Sequence, residues 1–266
     1  MIHPPSSTLS LGVAMIILIV GLPGAGKTAL AEELVSRSGA IHLNADAVRA
    51  DLSSDLGFAT TDRLEQARRL GAIARLISSQ DKLCIVDFVC PTKETRKMFG
   101  KADFTFWVNR IDEGRYEDTN RMWQDLAEDE YDLKINNGLT IEQEGDLCFD
   151  FMKIPCWKAP TTLMLGRYQP WHAGHMALYD EARKRGNQVV IGVRNTGGTS
   201  DKDPFEYAKV KELILEGMPT AFVMMMPNIT NIVYGRDVGY KIEKVELGAA
   251  IESISATEIR KGTLSQ

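Results

Sequence analysis

The stretch Met15-Ile-Ile-Leu-Ile-Val-Gly21-Leu-Pro-Gly24-Ala-Gly26-Lys27-Thr28 decides the fold of this chain. Its first six residues are apolar on every side and rich in β-branched side chains. That is the pattern of a central strand buried on both faces of a parallel sheet. The next eight carry Gly, four residues, Gly, Lys and Ser/Thr, the spacing of a phosphate-cradling loop. Gly21, Gly24 and Gly26 let the backbone turn so that several N–H groups converge on one anion. The positive end of the following helix, predicted over 28–38, adds to the attraction. Lys27 is then expected to reach the β- and γ-phosphates of a nucleotide, and the Thr28 hydroxyl to complete the shell of a Mg2+ ion. The bland alternative is a glycine-rich strand-to-helix turn that happens to hold a lysine. The strand before it and the helix after it argue for the nucleotide loop.

Around this stretch lie 266 residues, enough for two modest domains, each with its own core. Apolar residues make up 44% and charged ones 25%, as in an ordinary globular protein. A net charge of −5 argues against a non-specific nucleic-acid binder, though a local basic site around phosphates stays compatible with it. Cys84, Cys90, Cys148 and Cys156 form no CxxC pair. Buried or free thiols in a reducing cytoplasm are therefore expected, rather than a disulfide frame or a zinc site. Leu11 to Val20 is apolar but runs straight into the loop, so it is neither a signal peptide nor a membrane span. Residues 1–14 are expected to be a disordered leader, and Met15 is an alternative start.

Residues 40–44 read as a second short strand ending in Asn44-Ala-Asp46-Ala-Val-Arg49. Polar groups at the carboxyl end of a parallel strand face the crevice where α/β proteins bind ligands. Asp46 is a candidate for Mg2+ or for an acceptor hydroxyl, and Arg49 for an anionic group of that acceptor. A helix N-cap at Asp46 is the structural alternative. Arg63 stands at the start of the helix that follows Phe58, and of the nearby arginines it is the one expected at the site. Asp87, near the end of the strand Leu83 to Phe88, is placed to assist the metal. The polar run Arg110 to Trp123 has the composition of a mobile lid.

These pieces together resemble the adenylyl-sulfate (APS) kinase family, a branch of the P-loop kinases. The resemblance rests on the GLPGAGKT loop, Asn44 to Arg49, Ser54-Asp-Leu-Gly-Phe58 with Asp62-Arg63, and Phe88-Val-Cys-Pro91 with Arg96. It implies that Lys27 and Thr28 bind ATP and Mg2+ and that Asp46 sits at the phosphoryl acceptor. It also implies that Arg49 and Arg63 hold the acceptor's anionic group, with Phe58 stacked on its base. Three departures stand out. The family's Asp-Gly-Asp is here Asn44-Ala45-Asp46, its Ile-Ser-Pro is Val89-Cys90-Pro91, and its lid is replaced by Asp112 to Asn120.

After a weak stretch with two prolines, a strand-to-helix unit begins again. Thr161 to Leu165 reads as a strand, followed by Gly166-Arg167-Tyr-Gln-Pro-Trp-His172-Ala-Gly-His175 and a helix over 176–185. Two histidines at a helix start can aim ring nitrogens at a phosphate held there. Taken alone, the pair could also be metal ligands or core residues, and no third ligand of suitable spacing accompanies it. Further strands are expected over 187–193 and 221–226, the second with a methionine triplet read as core. Asp203-Pro-Phe205 opens a helix, and Ser255 caps another that carries Thr257 and Arg260.

The second half resembles the HxGH nucleotidyltransferase superfamily, most of all its nicotinamide-mononucleotide adenylyltransferase branch, with cytidylyltransferases sharing the histidines. That resemblance implies that His172 and His175 stabilise a transferring α-phosphate. Ser255, Thr257 and Arg260 would grip the triphosphate tail, beside Gly166 and Arg167 in the same nucleotide site. The expectation is an α/β protein of two domains: a P-loop kinase fold over 15–155, with helices on both faces of a parallel sheet, then a Rossmann-like nucleotidyltransferase over 156–266. Its function would be that of a bifunctional transferase using ATP and Mg2+, with CTP as the alternative donor for the second domain. Its partners would be small-molecule nucleotides, with no nucleic acid and no membrane, and a homodimer is compatible with the sequence. A kinase for another nucleotide conjugate, or a nucleotide sensor with one inactive domain, are the rival expectations.

Overall fold

The computed structural model describes residues 14–186, 188–233, 235–236, 239, 241–248, 254 and 256–263. Apart from Ala14, the expected leader lies outside the described residues, as does Ser255. Two compact units divide the chain between Lys158 and Ala159, and each is an α/β assembly on a parallel sheet.

In the first unit the central strand is β1 (Met15–Val20), buried at every position as its uniform apolarity requires. The chain continues through α1 (Lys27–Ser38), β2 (Ile41–Asn44), α2 (Ala45–Asp51), α3 (Thr60–Ser78), β3 (Leu83–Phe88) and α4 (Lys93–Phe99). It closes with β4 (Phe104–Val108), α5 (Glu117–Met122), β5 (Leu133–Ile135) and α6 (Ile141–Met152). The strand order is β2-β3-β1-β4-β5, all parallel. Because every strand points the same way, the ends of β1, β2, β3 and β4 deliver their following residues to one edge of the sheet, where ligands bind in such folds. Close backbone approach fixes the start of the loop: a Cβ on Gly21 would stand 2.5 Å from the Val108 carbonyl oxygen at the end of β4.

The second unit contains β6 (Thr161–Gly166), α7 (Ala173–Arg183), β7 (Gln188–Arg194), α8 (Tyr207–Gly217), β8 (Phe222–Met226) and α9 (Ala256–Thr263). Its sheet has the order β6-β7-β8, again parallel. Met164, Val189, Ile191, Val193, Val210, Ile214 and Val223 pack into its core. The methionine triplet does not belong to that core as expected. β8 lies at the end of the sheet order, so Met225 is exposed and Met224 and Met226 are half-buried. Among the described residues no helix is long and apolar enough to cross a membrane.

Candidate active site

The loop between β1 and α1 turns through Gly24 and Gly26, whose φ values of 93° and 96° fall in the left-handed region that favours glycine. Gly26 is the residue that precedes α1, and no side chain caps that helix, so its first backbone N–H groups remain available to an anion. Lys27 is 8% exposed, and its Nζ donates to the Leu22 carbonyl at 3.0 Å. Burial pulls its pKa down to about 8, against the attraction of Asp87 and Asp46. Next to it the Thr28 hydroxyl donates to Asp87 Oδ2 at 2.6 Å.

Asp87 comes from the penultimate position of β3 and is 3% exposed. Besides Thr28 it accepts from the Asn44 amide at 3.0 and 3.2 Å and from His42 Nε2 at 2.9 Å. Burial alone would raise its pKa, but these donors outweigh burial and hold the carboxyl below its ordinary range.

A cavity of about 890 Å3 opens over this edge. Lys27, Thr28, Asn44, Asp46 and Asp87 line one part of it; Arg49, Phe58 and Arg63 line another. Phe58 is 67% exposed and has two guanidinium groups near its ring, Arg49 at 4.8 Å and Arg63 at 5.6 Å from the ring centre. An aromatic face flanked by two cations suits a planar base joined to an anionic group. Arg63 is held by the Phe58 carbonyl at 2.9 Å and by the Asp118 carboxylate on α5. Arg68 and Arg69 instead pair with Glu65, and Arg69 also with Asp55, away from the cavity. Asp46 is not the cap of α2. Asn44 takes that place, its side-chain oxygen accepting the Ala47 N–H at 2.9 Å, which leaves Asp46 in the first turn facing the cavity.

Two arginines of the expected lid, Arg110 and Arg115, pack against the loop between β1 and α1. Arg115 lines the cavity beside Gly24. Arg110 packs its guanidinium against Gly26 and pairs with Glu144 of α6, which is 1% exposed. His42 was missed as well, although strand alternation places it on the same face as Asn44.

In the second unit the two imidazoles stack on each other, with ring centres 3.8 Å apart. His172 caps α7, its Nδ1 accepting the Gly174 N–H at 3.1 Å. Of the two ring nitrogens of His172, one remains for a phosphate. Its Nδ1 is spent on the cap, and the neutral ring keeps its proton on Nε2, the one nitrogen left to donate. Burial lowers the pKa of His172, and burial together with His172 brings His175 down to about 4. Tyr168 and Trp171 wall His175 in, with ring centres at 5.0 and 5.2 Å.

Arg167, following Gly166, pairs with Asp203 at 3.3 Å. Arg260 reaches the Gln169 carbonyl and the Thr257 hydroxyl, which joins α9 to the segment before the histidines. A smaller cavity of about 300 Å3 in this unit is lined by Gln169, Arg194, Asn195, Phe205 and Tyr207 among others, and the histidines are not part of its lining.

Residues 13–105 match the family described as Adenylylsulphate kinase. Residues 163–214 match the family described as Cytidylyltransferase-like. The adenylyl-sulfate kinase of Deinococcus deserti is 38% identical over 93 residues, which make up 33% of this chain and 51% of that protein. A probable adenylyl-sulfate kinase of Bacillus subtilis is 36% identical over 98 residues, 34% of this chain and 49% of that one. The chain thus spans about half the length of these two relatives. The Bifunctional enzyme CysN/CysC of Rhodopirellula baltica is 35% identical over 91 residues, 32% of this chain and 14% of its own. Among solved structures, the Mycobacterium tuberculosis APS kinase CysC in complex with AMPPNP and APS covers 53% of this chain and 98% of its own. Its TM-score is 0.45 and its identity 22%. The matched segments include Gly21 to Arg96 in the first unit and Gly166 to His175 in the second, and stop short of Thr257 and Arg260.

Proposed function

We propose that the chain is a bifunctional transferase made of two catalytic domains, 15–155 and 156–266. The first would phosphorylate a nucleotide-like acceptor from ATP, with adenylyl sulfate as the first candidate. The second would transfer a nucleotidyl group from ATP or CTP to a phosphorylated small molecule and release pyrophosphate. One observation carries the first part: a single cavity joins the Lys27 loop and Asp87 to the cluster of Arg49, Phe58 and Arg63.

In this reading the α1 amides and Lys27 neutralise the β- and γ-phosphates, and Arg115 adds positive charge from the same cavity, beside Gly24. The cluster of Arg49, Phe58 and Arg63 orients the acceptor base and its anion. Asp46 accepts the proton of the attacking hydroxyl as the γ-phosphoryl group passes to it. Phosphoryl transfer is served by this division of labour, since it needs positioning and charge neutralisation more than a covalent residue. The Thr28 hydroxyl and the Asp87 carboxylate are hard oxygen donors meeting at 2.6 Å, which suits them to hold Mg2+. When bound, that ion would supply neutralising charge at the β- and γ-oxygens.

For the second domain, the support is the His172 Nε2 donor at the head of α7, with His175 stacked behind it, where an α-phosphate would gather charge during transfer. Ser255, Thr257 and Arg260 remain the candidates for its triphosphate tail. The free, buried thiols of Cys84, Cys90 and Cys148 accord with a cytoplasmic enzyme acting on small-molecule nucleotides. A kinase for another nucleotide conjugate is the second reading, favoured by Asn44 and by the altered segment Asp112 to Asn120.

The test is incubation with ATP or CTP, Mg2+ and a panel of phosphorylated metabolites that includes adenylyl sulfate, with ADP and pyrophosphate quantified separately. Both products, each with its own acceptor, are expected. Pyrophosphate without ADP would remove the kinase, and ADP without pyrophosphate would remove the nucleotidyltransferase.

A further inference from the structure

β2 and β3 run side by side in a register that sets Asn44 directly opposite Asp87. The Asn44 side-chain oxygen is committed to the Ala47 N–H, so its NH2 group has one way to face, towards the Asp87 carboxylate. His42, two residues earlier on the same strand face, supplies a second donor to Oδ1, and Thr28 supplies one to Oδ2. Three side chains from two elements, β2 and α1, therefore aim donors at one buried carboxylate. A carboxylate accepts all of them only when ionised, and its two oxygens are then fixed in space. An aspartate at position 44 would instead confront Asp87 with a like charge. The loss of a carboxylate from the Asn44-Ala45-Asp46 element and the presence of Asp87 opposite it are thus one arrangement.

We infer that Asn44 and His42 are positioning residues that hold Asp87 as the carboxylate facing the metal–nucleotide, in place of the one absent from position 44. The inference rests on the phosphotransferase reading of this cavity. It assigns Asn44 and His42 no contact with substrate. Their effect is to restrict Asp87 to one orientation.

The experiment measures the affinity of the full chain for ATP by calorimetry, with and without Mg2+, beside kcat and KM for phosphotransfer. Asn44→Leu and His42→Leu are expected to lose about 10- to 100-fold in the Mg2+-dependent part of the affinity, the usual loss on removing a partner that orients a metal ligand. For His42→Leu, binding of metal-free ATP should stay within about twofold, since the loop and Lys27 are untouched. His42→Gln, which keeps a donor, should recover most of the Mg2+ response. Asp87→Asn should abolish that response, and the exchange pair Asn44→Asp with Asp87→Asn should restore part of it by rebuilding a carboxylate beside an amide. The exchange pair and His42→Gln keep the test decisive if Asp87→Asn fails to fold. Leucine variants with the wild-type Mg2+ response, in a protein whose ATP binding needs Lys27, would overturn this inference and leave the kinase reading standing. Wild-type protein that gains no ATP affinity from Mg2+ would overturn both.

Discussion

Raising the pH from about 7.5 to 9.5 should weaken nucleotide binding by roughly 20-fold through Lys27 alone. The ammonium is buried, and its pKa in the free protein is about 8. A bound triphosphate would raise that pKa, because the charged form gains a strong anionic partner. The group's pKa is thus higher in the complex than in the free protein. Affinity is therefore fully present below the free-protein value and falls as pH rises above it. With a free pKa of about 8, the charged fraction drops from about three-quarters at pH 7.5 to about 3% at pH 9.5, a ratio of roughly 20 and about 2 kcal/mol of binding energy.

Burial pushes the Cys84 and Cys148 thiols up to about 12, and the phosphate groups of the nucleotide are already ionised above pH 7.5. Calorimetric titration of ATP across the window, repeated in buffers of different ionisation enthalpy, reads both the affinity and the proton taken up. Lys27→Met should bind weakly and with no pH dependence. A flat profile in the wild type, or an undiminished slope in Lys27→Met, would refute the assignment of Lys27 to the phosphates.

Further outcomes follow from particular contacts. Gly26→Ala forces a side chain into a left-handed backbone and onto the Arg110 guanidinium, so ATP affinity in the same titration should fall roughly 5- to 30-fold, from a backbone cost of about 1–2 kcal/mol. Gly71→Ala would drive a Cβ into the Phe99 carbonyl across the α3–α4 contact. It should cost about 1–3 kcal/mol in denaturant unfolding while leaving ATP affinity unchanged. Phe58→Ala removes an exposed ring, so stability should move by less than about 0.5 kcal/mol while the acceptor KM in a steady-state assay rises roughly tenfold. His175→Asn should cut pyrophosphate release by about 100-fold or more, the typical loss of a donor at the developing charge. In the wild type that rate should not change with the charge of His175 between pH 6 and 8, because burial keeps its pKa near 4.

The first unit was legible where the information is local. An unbroken apolar run before a glycine turn determines both a buried strand and the loop after it, and β1 and α1 form accordingly. Asp46, Arg49, Phe58 and Arg63 all line the cavity, since they fall on α2, which follows β2 directly, or at the entry to α3. What escaped depends on pairings distant in the chain. The tie of Asn44 and His42 to Asp87 spans more than forty residues and follows from the β2–β3 register. Arg110 meets Gly26 because α6 supplies Glu144 from 34 positions further on. In the second unit the spacing of His172 and His175 placed both at the head of α7. It carried no information on ring orientation, which is decided by the cap to Gly174 and by the packing of Tyr168 and Trp171.

The most direct measurement of the central claim is transfer of the labelled γ-phosphate of ATP to adenylyl sulfate, in the presence of Mg2+, by the wild-type chain and by Lys27→Met. The account predicts labelled acceptor with the wild type and a loss of at least about 100-fold in the variant. Label that reaches no nucleotide-like acceptor while ATP still binds, or that reaches it equally well without Lys27, would contradict it.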